Sequence, residues 1–309
     1  MKIGMVGLGR MGLNMARRLI NGGHDVIAWN RSADKIMEAE ESGATGAESI
    51  EKMVGMLEAP RTIWIMLPAG KVTDDMVEKL SRLLSEGDLI IEGGNSLYKD
   101  DLSRSKALVA SGIHYADAGV SGGIWGLTEG YCIMVGASKP DYGRMVPLLE
   151  TLCVPGGFMH CGKVGAGHFV KMVHNGIEYA MMEAYGEGFE ILKKSIYGED
   201  LDMSAVSSMW NRGSVIRSWL LELLEDGFRD DPSLSEVRGV VPDSGEGRWT
   251  VQEAIDLGVA APAIGASLFR RFDSTLEDPF ALRVMSTLRN RFGGHKMVTV
   301  DPSDSLKKS

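Results

Sequence analysis

An apolar pentamer, KIGMV (2–6), runs straight into GLGRMG (7–12), and an amphipathic stretch follows to about residue 21. Glycine at 7, 9 and 12 between a strand and a helix is a demanding arrangement. Gly7 permits a tight turn off the strand, Gly9 lets an anionic group approach the backbone, and Gly12 lets helix and strand pack closely. The helix then offers unpaired N–H groups to a pyrophosphate. A second strand signal, HDVIAWN (24–30), completes a strand–helix–strand unit. A purely structural glycine turn is the alternative, and that context argues against it.

The alternation continues. TIWIML (62–67), DLIIEG (88–93), IHYADAG (113–119), YCIMVG (131–136) and FMH (158–160) read as strands. Helical spacing falls near 32–42, 73–84, 98–110 and 139–151. Short connections between alternating elements predict a parallel, doubly wound sheet. Strand signals nearly stop at GKVGAG (162–167). Residues 166–194 can form one long helix, and further helical stretches lie near 203–226, 234–240, 250–256, 262–276 and 280–291. The expected organisation is an α/β Rossmann-like, dinucleotide-binding N-terminal domain over 1–163 followed by an all-α C-terminal domain over 164–309.

The chain of 309 residues is 44% apolar and 24% charged, which suits a globular protein. A net charge of −9 speaks against a nucleic-acid or anionic-membrane partner, but not against a small anionic substrate. The three cysteines, Cys132, Cys153 and Cys161, form no CxxC pair. With no leader-like or membrane-spanning signal, they suggest a cytoplasmic protein with reduced thiols.

The second strand ends in Asn30-Arg31-Ser32. An NAD site usually places an acid there to hold the ribose 2′-hydroxyl. None stands here to repel a 2′-phosphate. Arg31 can pair with one through its fork of donors and Ser32 can donate to it, while Lys35 adds charge a turn later. NADP is therefore expected, with NAD possible. A solvated Arg31 is the alternative. The candidate dinucleotide set is Gly7, Leu8, Gly9, Arg10, Met11, Gly12, Asn30, Arg31, Ser32, Leu67, Pro68 and Asn95.

Within GHFVKMVHNGIEY (167–179), helical geometry aligns Lys171, His174, Asn175 and Glu178 at i, i+3, i+4 and i+7. Apolar residues flank the strip. A solvated face is the ordinary reading of such a stripe. Its narrowness and its place at a domain junction favour a cleft instead. A desolvated lysine loses charge and can act as a base; a carboxyl in the same setting can hold a proton to donate. The residues alone point to a dinucleotide-dependent alcohol dehydrogenase with a lysine base.

GLGRMG, DAGVSGG (117–123), GKVGAGHFVKMVHNGIEY (162–179) and FGGH (292–295) resemble the decarboxylating 6-phosphogluconate dehydrogenases, short form, within the β-hydroxyacid dehydrogenase superfamily. The resemblance covers roughly residues 1–297. It implies oxidation and decarboxylation of 6-phosphogluconate to ribulose 5-phosphate and CO2 with reduction of NAD(P). That reaction serves the pentose phosphate pathway or gluconate utilization. It implies Lys171 as the base at the C3 hydroxyl, Glu178 as the acid at C1, and no metal, since a cationic lysine supplies the electrophile. Asn95, Ser121, Gly122, Gly123, His174 and Asn175 would hold the sugar acid. Tyr179 and Arg271 would contact the phosphate, with Arg270 as the register alternative to Arg271. Arg289 and His295 would reach the site of a neighbouring subunit, so a homodimer or homotetramer is expected.

One departure stands out. The family usually carries Lys-Gly-Thr-Gly-x-Trp where this chain has Ser244-Gly245-Glu246-Gly247-Arg248-Trp249. Ser244 replaces a phosphate-contacting lysine. This keeps open a β-hydroxyacid dehydrogenase acting on a small unphosphorylated 3-hydroxy acid.

Overall fold

The computed structural model describes residues 1–298. Its first element, β1 (Lys2–Val6), feeds α1 (Arg10–Asn21), and β2 (Asp25–Trp29) returns parallel to β1. Then come α2 (Ala33–Glu40), β3 (Thr45–Gly46), α3 (Ile50–Gly55), β4 (Thr62–Ile65), α4 (Lys71–Ser81), β5 (Leu89–Glu92) and α5 (Tyr98–Leu108). The α/β part finishes with β6 (His114–Ser121), β7 (Tyr131–Gly136), α6 (Lys139–Leu152) and β8 (Cys153–Gly162). The helical part comprises α7 (Ala166–Lys194), α8 (Met203–Trp210), α9 (Trp219–Asp230), α10 (Glu246–Asp256), α11 (Pro262–Ser274) and α12 (Phe280–Gly293).

The eight strands form one sheet in the order β3-β2-β1-β4-β5-β6-β7-β8. Strands β1, β4 and β5 are buried almost throughout, as helices on both faces require. One face packs Met5, Leu13, Met15, Trp64, Leu148 and Leu149. The other packs Val6, Ile50, Met53, Ile63, Ile65 and Leu80. All pairs are parallel except β6–β7, which run antiparallel. The expected parallel, doubly wound sheet is therefore present with one reversed strand pair. A parallel return needs a crossover of a dozen or more residues, and only the nine-residue linker GGIWGLTEG separates Ser121 from Tyr131.

Three further expectations change. Strand β3 and helix α3 were not foreseen; β3 has only two residues, too few for an alternation to show. The stretch 203–226 is two helices, because the chain turns at Asn211–Gly213 and Ser218 starts α9 by accepting the Leu221 N–H at 3.1 Å. Residues 234–240 are not helical. The Asp231 carboxylate accepts N–H bonds from Ser233 and Glu236, and Leu234 has φ of 50°, which folds the segment into turns. No helix among the described residues is long and apolar enough to cross a membrane.

The element type changes between Gly162 and Ala166, but compactness divides the chain elsewhere. One unit is Met1–Glu178 with Gly245–Ala260; the other is Tyr179–Ser244 with the chain from Ala261 onward. Helix α10 belongs to the first unit by its contacts. Thr250 Oγ1 donates to the Met172 carbonyl at 2.7 Å, the Tyr98 hydroxyl donates to Glu253 at 3.0 Å, and Lys99 bridges Glu253 and Asp256 at 3.3 and 3.2 Å. The second unit packs Phe189, Met203, Leu221 and Phe228 into its own core.

In the glycine loop, Gly7 has φ of 94°, and a Cβ on Gly12 would run into the Gly7 carbonyl. Gly12→Val should therefore push α1 off β1 and cost about 1–3 kcal/mol of stability, as overpacking does. Urea denaturation would measure it.

Candidate functional site

The turn after β1 satisfies itself in a way that leaves α1 open. Asn30, at the end of β2, accepts the Leu8 N–H through Oδ1 at 3.0 Å. Gly9 stands at the N-cap of α1 with no side-chain cap, so the first N–H groups of the helix keep their donor capacity. A Cβ on Gly9 would meet no protein atom within 4 Å. Leu8 itself is fully buried, so only its backbone faces the loop. Arg10 is exposed and Met11 half-buried. Arg31 and Ser32 are exposed, and Arg31 has no ion-pair partner among the described residues. Lys35 does have one: it pairs with Glu38 at 2.6 Å, and Arg17 also meets Glu38 at 3.2 Å. Leu67 is half-buried, and Pro68, exposed, lends its carbonyl to Thr73 at 2.8 Å. An open helix N-terminus beside glycines, with a lone exposed cation at the end of β2, is a cradle that fits a dinucleotide pyrophosphate and adenosine ribose.

The stripe on α7 lies in the same compact unit. Lys171 is only 8% exposed. Its ammonium donates to Asn175 Oδ1, and His174 Nδ1 lies 3.0 Å from that same oxygen. Glu178 is half-buried with Oε2 3.9 Å from His174 Nδ1. Burial pushes the Lys171 amine below the usual lysine range, while the charges of Glu178, Glu246 and Cys132 pull the other way. Glu246, only 2% exposed, starts α10. The apolar flank is less enclosed than its composition suggests: Val170, Ile177, Met181 and Met182 are exposed.

Helix α7 lies directly on β6 and β7. A Cβ on Gly119 would collide with Lys171 Cβ, and one on Gly167 with the Met134 carbonyl. Asp117, fully buried in β6, accepts the Gly165 N–H through Oδ1 at 2.6 Å and the His168 N–H through Oδ2 at 2.7 Å. It therefore caps the first turn of α7 from a neighbouring strand. The His168 ring places Nδ1 2.7 Å from Asp101 Oδ2, and Tyr115 donates to Asp101 Oδ1 at 2.9 Å. Glu92 accepts the Gly94 N–H at 2.7 Å, in the turn that presents exposed Asn95. The ligand atoms of Glu92, Asp101 and His168 lie within 4.8 Å of one another, a spacing that would suit a cation. Arg104 supplies positive charge there, with Nη1 3.5 Å from both Glu92 and Asp101. Burial by itself would lower the His168 pKa. The Asp101 charge and hydrogen bond, with Glu92 and Asp117 beyond, outweigh it and hold the ring at about 10. Burial raises the Asp117 carboxyl to about 6.

Ser121 ends β6 opposite Cys132, and Gly122 and Gly123 follow with φ of 128° and 55°. In the second unit, the Arg271 guanidinium lies 3.4 Å above the Tyr179 ring. Tyr179 shares a hydrogen bond with Ser244 at 2.9 Å, and Arg271 also donates to the Pro242 carbonyl at 3.2 Å. The alternative cation, Arg270, instead approaches Glu183 at 3.6 Å. Arg289 on α12 and His295 beyond it make no hydrogen bond or ion pair with Tyr179 or Arg271 among the described residues; the His295 carbonyl accepts from Asn290 at 3.0 Å. Helix α12 leaves Phe280, Leu282, Met285 and Leu288 exposed.

Sequence reasoning did not single out Glu92, Asp101, Asp117 and His168. One signal was present: an acid inside the apolar strand ADAGV must find a partner when buried. His168 lies in GHFVKMVHNGIEY one turn before Lys171, at the edge of the polar stripe, and was not counted in it.

Loop, sheet and helical part together define an NAD(P)-binding α/β protein with a helical C-terminal region. Comparison with known proteins narrows this. Residues 2–162 match the family model for the NAD binding domain of 6-phosphogluconate dehydrogenase, and residues 167–304 match its C-terminal domain. The Bacillus subtilis protein YqeC, provisionally named a 6-phosphogluconate dehydrogenase, is 44% identical, covering 96% of this chain and 98% of its own. An NAD(+)-dependent, decarboxylating 6-phosphogluconate dehydrogenase of Haloferax volcanii is 42% identical over 97% of this chain and 100% of its own. The Plasmodium falciparum 6-phosphogluconate dehydrogenase structure superposes with a TM-score of 0.81 at 27% identity, over 99% of this chain and 68% of that one. The chain belongs to the 6-phosphogluconate dehydrogenase family.

The raised His168 value carries a pH signature. The folded state binds this proton more tightly than the unfolded chain does, so the stabilisation is whole below about pH 6.5 and fades as pH rises towards about 10. His168→Gln should cost about 3–5 kcal/mol at pH 6, the usual penalty for stripping one partner from a buried ion pair. The gap to wild type should narrow at pH 10 in guanidinium melts.

Proposed function

We propose that the chain oxidises and decarboxylates 6-phosphogluconate to ribulose 5-phosphate and CO2, with NADP preferred over NAD. In this reading residues 1–163 hold the dinucleotide and residues 164–309 carry substrate and subunit contacts. The observation that carries it is the buried Lys171 amine, held by Asn175 on α7 in the same compact unit as the glycine loop. A bound NAD(P) supplies the hydride acceptor. Neutral Lys171 takes the proton of the C3 hydroxyl as that carbon is oxidised. The product is a β-keto acid, so its carboxylate can leave as CO2 while the bonding electrons move onto the carbonyl. Lys171 returns its proton to that oxygen, and its positive charge stabilises the developing enolate without a metal. Glu178 then protonates C1 of the enediol while neutral Lys171 takes back the proton of the adjacent hydroxyl, which leaves the ketone of ribulose 5-phosphate. A depressed lysine pKa suits the first step, because it leaves more of the amine in its accepting form near neutral pH.

Asn95, Ser121, Gly122, Gly123, His174 and Asn175 orient the sugar acid. Tyr179 and Arg271 take the phosphate; Arg271, stacked on Tyr179, keeps donors in its plane for a bidentate pair. The carboxylate beside Arg270 favours Arg271 for this role. Arg289 and His295 come from a neighbouring copy in a homodimer or homotetramer, a reading supported by the exposed apolar residues of α12. The Ser244–Tyr179 hydrogen bond gives a second reading some footing. With no lysine at 244 the phosphate grip is lighter, as in an enzyme for an unphosphorylated 3-hydroxy acid.

An assay that records dinucleotide reduction and CO2 release together from 6-phosphogluconate tests the reading. Equal yields of both are expected, and reduction without CO2 would favour the second. Lys171→Met should lower kcat by about 10²–10⁴, the worth of general base catalysis, and leave dinucleotide affinity near wild type. Wild-type turnover in that variant would mean another base. Arg31→Ala should weaken NADP by roughly 10–100-fold, the worth of a charge-assisted hydrogen bond, and NAD hardly at all. Equal losses in fluorescence titrations with the two dinucleotides would remove the NADP preference.

A further inference from the structure

The groups buried deepest around the candidate site are not the ones that would touch substrate. Glu92, Asp101 and Asp117 are fully buried, His168 nearly so, and Arg104 6% exposed. Burying three acids is costly unless each charge is paired and hydrogen-bonded. Their bonds converge on three places in the chain. Through Gly94, Glu92 holds the turn that presents Asn95. Through the N–H groups of Gly165 and His168, Asp117 holds the first turn of α7, one turn before Lys171. Asp117 also sits in β6, four residues before Ser121. Asp101 joins the two ends: it pairs with the His168 ring, accepts from Tyr115 and faces Arg104, which reaches Glu92.

We propose that Glu92, Asp101, Asp117 and His168 form a positioning network that fixes the Asn95 turn, the end of β6 and the Lys171 turn of α7 relative to one another.

Two observations favour this over a purely structural ion cluster. The sheet has been pared to glycine where α7 crosses it. A Cβ on Gly136 would strike Asp117 Oδ1 and the Ala166 nitrogen, and one on Gly119 would strike Lys171. Backbone this close leaves the lysine stem little freedom to shift along the strand. In addition, both Asp117 oxygens are engaged by α7 backbone, so the carboxylate sets the rotation of the helix as well as its distance. A stripe of side chains aimed at one ligand depends on that rotation, since one residue of a helix turns 100°.

The inference rests on the Lys171 reading, and the test separates the two. Asp117→Asn, His168→Gln and the milder Glu92→Gln would be compared with Lys171→Met, each checked for folding by circular dichroism. Turnover, KM for 6-phosphogluconate, dinucleotide affinity and amide exchange over residues 165–175 would be read together. The network variants should lose at least about tenfold in kcat per folded site, the scale set by small misplacements, with a smaller change in KM because Asn95 and Ser121 are displaced rather than removed. Amides over 165–175 should exchange faster in Asp117→Asn. Wild-type kcat in every folded network variant, or unchanged exchange in Asp117→Asn, would overturn the proposal. If Asp117→Asn fails to fold, Glu92→Gln decides it by the same kcat criterion. Full activity of Lys171→Met alongside faster exchange in Asp117→Asn would instead sink the catalytic reading and leave the network standing.

Discussion

A carboxylate on a strand caps a helix from outside: Asp117 takes the Gly165 and His168 N–H groups, and the 29-residue α7 starts from that contact. Four N–H groups at any helix start need partners, and these two find theirs on the sheet rather than in water. A negative charge at that end also sits well in the field of the helix. The direction in which α7 leaves the sheet follows from the contact, and with it the heading of Lys171, His174, Asn175 and Glu178.

The contact has its own requirements. An acid within a strand buried on both faces would be unfavourable if α7 or the His168 ring were taken away. The glycines at 119, 136 and 167 give the backbone room to approach, so the hydrogen bonds and the close packing depend on one another. Mutual dependence of this kind makes an arrangement all-or-none: partial loss of the network leaves charges that are buried and unpaired. The dinucleotide cradle is held differently, by the Asn30–Leu8 bond and by the glycines of the first turn.

Much of this was legible beforehand, and unevenly. The glycine loop, the alternation of strands and helices, and the polar stripe on α7 are local patterns with fixed periods, so they can be read from one stretch at a time. The reversal of β7 was also readable, since the nine-residue linker after Ser121 is too short for a crossover. The helix expected at 234–240 failed because side-chain bonds from Asp231 compete with helical ones, a choice that apolar spacing does not register. The network at the base of α7 was out of reach. Glu92, Asp101, Asp117 and His168 come from two strands and two helices, and nothing in their spacing shows that they meet.

Arg31 is exposed and has no ion-pair partner among the described residues, whereas Lys35 and Arg17 share Glu38. A cation placed this way acts on an anion through water and mobile ions, and its reach at physiological ionic strength is about 8 Å. Whatever choice between phosphorylated and plain ribose depends on it should thus be graded by salt. It should be sharpest in dilute buffer and blunted in brine, while the backbone grip on the pyrophosphate changes far less.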